Sequence, residues 1–150
     1  RFFAQQEEID LCWRVRRRGR GIWCVPQSVV YHLGGGTLPQ GSPRKTFLNL
    51  RNNLLLLYKN LPERRLQAVM HLRFWLDALA SLQMLATGQW RSAAAVWQAR
   101  REFHRIRKDF EASRRENLTL TVLDPIPEQG AFSLLWQYYV LRHCTVDRLP

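Results

Sequence analysis

Ser42-Pro43-Arg44-Lys45-Thr46-Phe47-Leu48-Asn49-Leu50-Arg51-Asn52-Asn53-Leu54-Leu55-Leu56-Leu57-Tyr58-Lys59-Asn60-Leu61-Pro62 reads as one helix with both of its ends written into it. A serine ahead of the first turn is a good N-cap, and proline at the first helical position lacks only an N–H that would be unpaired anyway. Leu61-Pro62 ends the helix, because a proline pushes the residue before it out of the helical region.

Downstream, Glu63 to Ala86 reads as a second long helix, closed by Gly88. Leu72, Leu76, Leu79 and Leu82 mark one face, and Trp75, Met84 and Leu85 widen it. A third helix is expected from Arg91 to about Arg115. In its second half Phe103, Ile106 and Phe110 share one sector while Arg100, Arg101, Arg105, Arg107, Lys108, Arg114 and Arg115 spread over the rest, a basic amphipathic pattern. Leu118 to Val122 suggests a short strand or extended piece, Asp124-Pro125-Ile126-Pro127 a turn, and Ala131 to about His143 a last helix.

Upstream, Leu33 to Ser42 holds four of the eight glycines plus Pro39 and reads as a loop and a boundary. Before it, Ile22-Trp23-Cys24-Val25 and Ser28-Val29-Val30-Tyr31-His32 are short, β-branched and aromatic runs around Pro26, read as two strands. Glu7 to Arg18 reads as a short helix: acids in the first turn, arginines in the last, Asp10 within i,i+4 reach of Arg14, and Gly19 as a stop. The expected fold is therefore mainly α with a small β element, divided into residues 1–41 and a helical, basic region 42–150.

With 150 residues the chain suffices for one ordinary domain. Its 23 Lys and Arg against 12 Asp and Glu leave a formal charge of +11, which predicts attraction to phosphates in nucleic acid, anionic lipid or nucleotide without choosing among them. Cys12, Cys24 and Cys144 stand at no zinc or redox spacing, so reduced thiols and a cytosolic setting are expected. The stretch between Arg73 and Arg91 carries only Asp77 as a charge but falls short of the roughly 20 apolar residues of a membrane-crossing helix, which favours a buried or interfacial helix.

Two clusters carry chemistry. Glu7, Glu8 and Asp10 gather carboxylates in one turn, as an acid/base site requires; acids also occur there simply because a helix N-terminus favours negative charge. Glu7 and Asp10 share a face and Glu8 points about 100° away, so the three can serve different ends. His32 leads into Gly34-Gly35-Gly36 and Thr37, where glycines let a backbone approach a phosphate closely; a lone His is otherwise a satisfied surface residue, and the glycine run matches neither the P-loop nor the dinucleotide fingerprint. Arg44, Lys45 and Arg51 near a helix N-terminus suit a diphosphate or are solvated helix charges. Trp75, Trp90, Trp97 and Trp136 line an acceptor groove, sit at a membrane interface, or pack in the core.

The segment FFAQQEEIDLCWRVRRRGRGIWCVPQSVVYHLGGGTL, continuing into SPRKTFLNLRNNLLLLYKNLP, resembles the downstream part of bacterial family-two glycosyltransferases of the GT-A type over Phe2 to Pro62. The resemblance implies transfer of a sugar from a nucleotide diphosphate donor to a hydroxyl of a glycan or lipid-linked acceptor, with inversion, in cell-surface polysaccharide synthesis at the cytoplasmic face of the bacterial membrane. It places the base at Glu8, where the family's Glu-Asp pair reads Glu7-Glu8, with Asp10 and Glu7 as further acids, Trp13, Arg14, Gly34 to Thr37, Arg44 and Lys45 on the substrate side, and His32 toward a divalent metal, Mg or Mn. The family's Asp-x-Asp is absent, and the chain starts at Arg1 without Met. The expectation is thus a downstream fragment of a GT-A α/β domain plus a helical C-terminal region, inactive alone and binding no metal by itself.

A rival reading needs only the charge, the basic helix and the tryptophans: a binding module for an anionic membrane or another phosphate-bearing partner. Nothing resembles a groove-reading motif, so nucleic acid is not expected as a partner. The apolar helix faces also suit a homodimer.

Overall fold

The computed structural model describes residues 5–31, 39, 41–127, 129–130, 132 and 136–145. Its elements are α1 (Glu7–Arg17), α2 (Pro43–Asn60), α3 (Glu63–Ala86), α4 (Trp90–Ile106), a 3₁₀ turn (Arg107–Phe110), α5 (Glu111–Thr119) and a short π-helical turn (Trp136–Val140). The mainly helical architecture expected from the sequence is what the chain adopts.

The helix ends form where local chemistry asks for them. The Ser42 hydroxyl accepts from the Lys45 N–H at 3.2 Å, with Pro43 opening α2. At the end of α3, Gly88 takes a φ of +76°, and the N–H of Gln89 reaches back to the Met84 carbonyl, so the last turn closes on itself. α1 ends the same way at Gly19, with the Arg20 N–H on the Val15 carbonyl.

The core lies on α2, which packs most extensively on α4 and also against α5, α3 and α1. Leu54, Leu55 and Val96 are fully buried, with Leu48, Leu56, Ala93, Ala95, Ala99 and Phe103 around them. The small residues of α4 (Ala93, Ala95, Ala99) let its backbone come close to the leucines of α2. Tyr58 meets the Phe103 ring edge-on at 6.0 Å.

α3 turns its leucine face outward. Leu72, Leu79 and Leu82 are exposed, Leu79 to 65 %, as are Trp75 (69 %) and Leu85, whereas Asp77 is only 2 % exposed and Ser81 is buried. The side facing α4 is polar: Asp77 accepts from Arg100 at 2.6 Å and Arg73 at 2.7 Å, and the Trp97 indole N–H donates to the Ser81 hydroxyl at 3.0 Å. Leucine spacing located a stripe correctly but not its direction, because apolar residues surround this helix and the ion pair decides which side meets α4.

Three expectations are corrected. The runs 22–25 and 28–31 form no strand, and no strand occurs among the described residues; Tyr31 is 97 % exposed and Trp23, Val29 and Val30 are nearly so. A β run holds its shape only with a neighbour to take its hydrogen bonds, and no described segment offers one. The third helix is not continuous, since the 3₁₀ turn divides it into α4 and α5. α5 extends through Thr119, so the Leu118 to Val122 segment begins helical and only then straightens, the N–H groups of Val122 and Leu123 both going to the Arg17 carbonyl. Of the last expected helix only the turn Trp136–Val140 forms among the described residues.

Asp77 holds two arginines that have no other described carboxylate. Asp77→Ala is expected to lower the unfolding free energy by about 3 kcal/mol, since a charge left buried and unpaired costs on the order of 3–5 kcal/mol. Urea titration followed by circular dichroism checks this, with Leu79→Ala, at an exposed site, shifting the midpoint little.

Candidate functional site

The acidic turn of α1 is positioned by α2. The backbone enters α1 through Gln5 and Gln6, both with positive φ, and is held there by bonds to α2: Gln6 Nε2 donates to Asn49 Oδ1 at 2.7 Å, and Asn52 Nδ2 donates to the Gln5 carbonyl at 2.9 Å. Asn52, midway along the leucine-rich α2, and Asn60 at its end are fully buried, Asn52 because it holds the entry to α1 and Asn60 because it bonds Asp10.

The three acids separate by function. Asp10 is 3 % exposed and accepts from Lys59 Nζ at 2.8 Å, Asn60 Nδ2 at 2.8 Å and Arg14 Nε at 3.0 Å. Glu7 and Glu8 are exposed, and neither forms an ion pair among the described residues. Helix geometry separates Glu8 from Asp10: two residues apart, at about 100° each, they point to nearly opposite sides, so Asp10 turns toward α2 while Glu8 points away. The expected Asp10–Arg14 pair is present, so Arg14 is spent on Asp10, and Trp13 beside it is half-buried.

Around Asp10 a larger polar knot closes the end of α2. Arg17, 4 % exposed, donates from Nη1 to the Asn60 carbonyl and pairs through Nη2 with Asp124 at 3.3 Å. Burial pulls the Arg17 pKa down from its ordinary value, with Asp124 acting the other way. Asn117 of α5 donates to Asn60 Oδ1 at 3.2 Å, and Arg114 donates to the carbonyls of Tyr58 and Leu61 and pairs with Glu63 at 2.9 Å. Arg17, Asn60, Arg114 and Asn117 were not singled out from the sequence. The signal was there for the two arginines, because the last carbonyls of a helix attract cations; nothing in one sequence says which arginines come.

The other expected residues lie in different places. Lys45 precedes Asn49 by one turn on the same face of α2, the side where α1 begins. Arg44 stands at the start of α2 beside Trp90 and Arg91. Arg51 stacks over Phe47 at 5.4 Å and bonds Asn52 Oδ1, burial lowering its pKa, with Glu102 acting oppositely. Of the tryptophans, Trp75 and Trp90 are exposed and Trp97 takes part in the α3–α4 contact. His32, Gly34, Gly35, Gly36 and Thr37 lie outside the described residues. Among the described residues no three His, Cys, Asp or Glu stand together as a metal site. Cys12, Cys24 and Cys144 are free and exposed.

Comparison with protein-family models, curated proteins and solved structures finds no match to this chain.

The knot predicts a division of labour that stability alone can read. Asp10→Ala leaves Lys59 and Asn60 facing an empty buried position and is expected to cost about 3 kcal/mol. Glu8→Gln, on the exposed side, is expected to change stability by less than about 0.5 kcal/mol. Urea unfolding of both variants checks the contrast.

Proposed function

We propose that this chain is the acceptor-side segment and helical C-terminal region of an inverting family-two glycosyltransferase of the GT-A type, using a nucleotide diphosphate sugar in cell-surface polysaccharide synthesis. The support is the run from Phe2 to Pro62 together with one observation: within a single turn, Asp10 is fixed on α2 while Glu8 is free and exposed. A base needs that combination, an unengaged carboxylate on a backbone that does not move.

In this proposal Glu8 takes the proton from the acceptor hydroxyl as its oxygen bonds to the anomeric carbon, and the bond from that carbon to the diphosphate breaks on the opposite face. Lys45 supplies positive charge on the side where α1 begins, and Arg44 adds charge at the start of α2. In an enzyme that joins this segment to a nucleotide-binding half, Glu8→Gln is expected to lower turnover by two orders of magnitude or more, with nucleotide affinity and melting temperature little changed. Near-normal turnover in that variant overturns the assignment.

A second, compatible reading rests on α3. Leu72, Trp75, Leu79 and Leu82 form an exposed apolar stripe, with the exposed Arg64 near its start and Trp90 and Arg91 just beyond its end. An apolar stripe bordered by cations and tryptophan suits the headgroup region of an anionic bilayer, and the charge of +11 has the right sign. Among the described residues no helix is long and apolar enough to cross a membrane, so the contact proposed is with the surface. Cosedimentation with phosphatidylglycerol vesicles is expected to fall at least tenfold in the double variant Leu79→Asp, Leu82→Asp; unchanged binding overturns the reading.

A further inference from the structure

A cleft of about 830 Å³ opens between α3 and the face that runs unbroken from α4 through the 3₁₀ turn into α5. We propose that this cleft binds a phosphate group carried on an apolar chain, the chain lying along Met70, Phe74 and Phe103 and the phosphate held at the rim by Arg107 and Lys108. The inference goes beyond the transferase reading and stands whether or not Glu8 is a base.

The two halves of the site are chemically distinct. Its inner wall is apolar, with Leu66, Met70, Phe74 and Phe103 facing the space and Tyr58 from α2 beneath. Its rim is cationic, but the cations are not equivalent. Arg100 is committed to Asp77 at 2.6 Å and stacks over Phe74 at 5.1 Å. Arg114 is committed to Glu63 and to two carbonyls. Both acids of the cleft are likewise occupied, Glu63 by Arg114 and Glu111 by the Tyr58 hydroxyl at 2.5 Å and Arg115 at 3.3 Å. Arg107 and Lys108 remain, exposed and without an ion pair among the described residues.

The break in the helix is what sets these two side by side at the opening. A 3₁₀ turn winds three residues per turn and marks places where helix regularity is given up. Here it joins α4 to α5 while keeping Arg100, His104, Arg107, Lys108 and Glu111 on the cleft side. The field they create is legible in their neighbours: burial and then Arg107 and Arg100 lower the His104 pKa, and Arg107 with Arg114 opposes the upward push on Tyr58. Burial and the two guanidinium groups thus both favour the neutral form of His104. A guanidinium and an ammonium next to each other suit phosphate oxygens, and a cleft of this size with an aromatic wall suits a chain of several carbons. A sugar hydroxyl group would use neither.

The test is titration of this chain with n-octyl phosphate, inorganic phosphate and n-octyl glucoside, each below its micelle concentration, by calorimetry. Octyl phosphate is expected to bind one to one and at least tenfold tighter than either of the others. Arg107→Ser with Lys108→Ser is expected to remove that advantage, while the equally charged loss Arg20→Ser with Arg101→Ser, both exposed and away from the cleft, leaves it. Circular dichroism of both double variants checks that they fold. Equal binding of inorganic phosphate overturns the apolar half of the site, and equal binding of octyl glucoside overturns the phosphate half. Equal loss in the two double variants reduces the effect to net charge and overturns the site. Binding to phosphatidylglycerol vesicles with none to octyl phosphate monomers also overturns it, assigning the lipid contact to the outer surface; binding to both, lost together in the cleft variant, makes a membrane phospholipid the source.

Discussion

The last turn of α2 is the point on which the other helices depend. A helix ends with carbonyls that have no partner within it, and here they are buried, so they must be met from elsewhere. Arg17 of α1 reaches the Asn60 carbonyl and Arg114 of α5 those of Tyr58 and Leu61. The Asn60 side chain carries the link further, giving its amide to Asp10 and accepting from Asn117. Three helices distant in sequence are thus joined at one place by groups that would each be costly to leave unpaired. Such a network specifies an arrangement more sharply than leucine packing can, because its members fit in only one way.

The same logic explains α3. Burying its leucines against α4 would leave Asp77 and Arg73 outside and Arg100 with no carboxylate. Turning the helix over buries one carboxylate between two arginines and exposes a row of leucines and Trp75. In water that arrangement is poor for the exposed side, and it becomes favourable when something apolar lies against it. The polar interior and the apolar exterior of α3 are therefore one fact, and it bears on where the chain works.

Much of the architecture was legible in the sequence. Ser42-Pro43, Leu61-Pro62 and Gly88 set helix ends where the structure has them, because capping and proline geometry are local. The Asp10–Arg14 pair was legible for the same reason. What was not legible is tertiary. The β-branched runs before the glycine loop have strand composition but no described strand to pair with. The leucine stripe of α3 was found and its direction was not. At the acidic turn, three carboxylates were visible in the sequence, but not that α2 would take Asp10 for itself.

That partition carries the argument about Glu8. A carboxylate already holding a lysine, an arginine and an asparagine amide has its oxygens taken by partners that would be left buried if it turned away. Asp10 is such a group, and its value to any reaction lies in orientation. Glu8 sits two residues earlier on the backbone that Asp10 pins and on the side it leaves open. The buried acid thereby limits the motion of the exposed one, so in the proposed transferase the two acids are unequal: one holds the helix, and the other is held out by it.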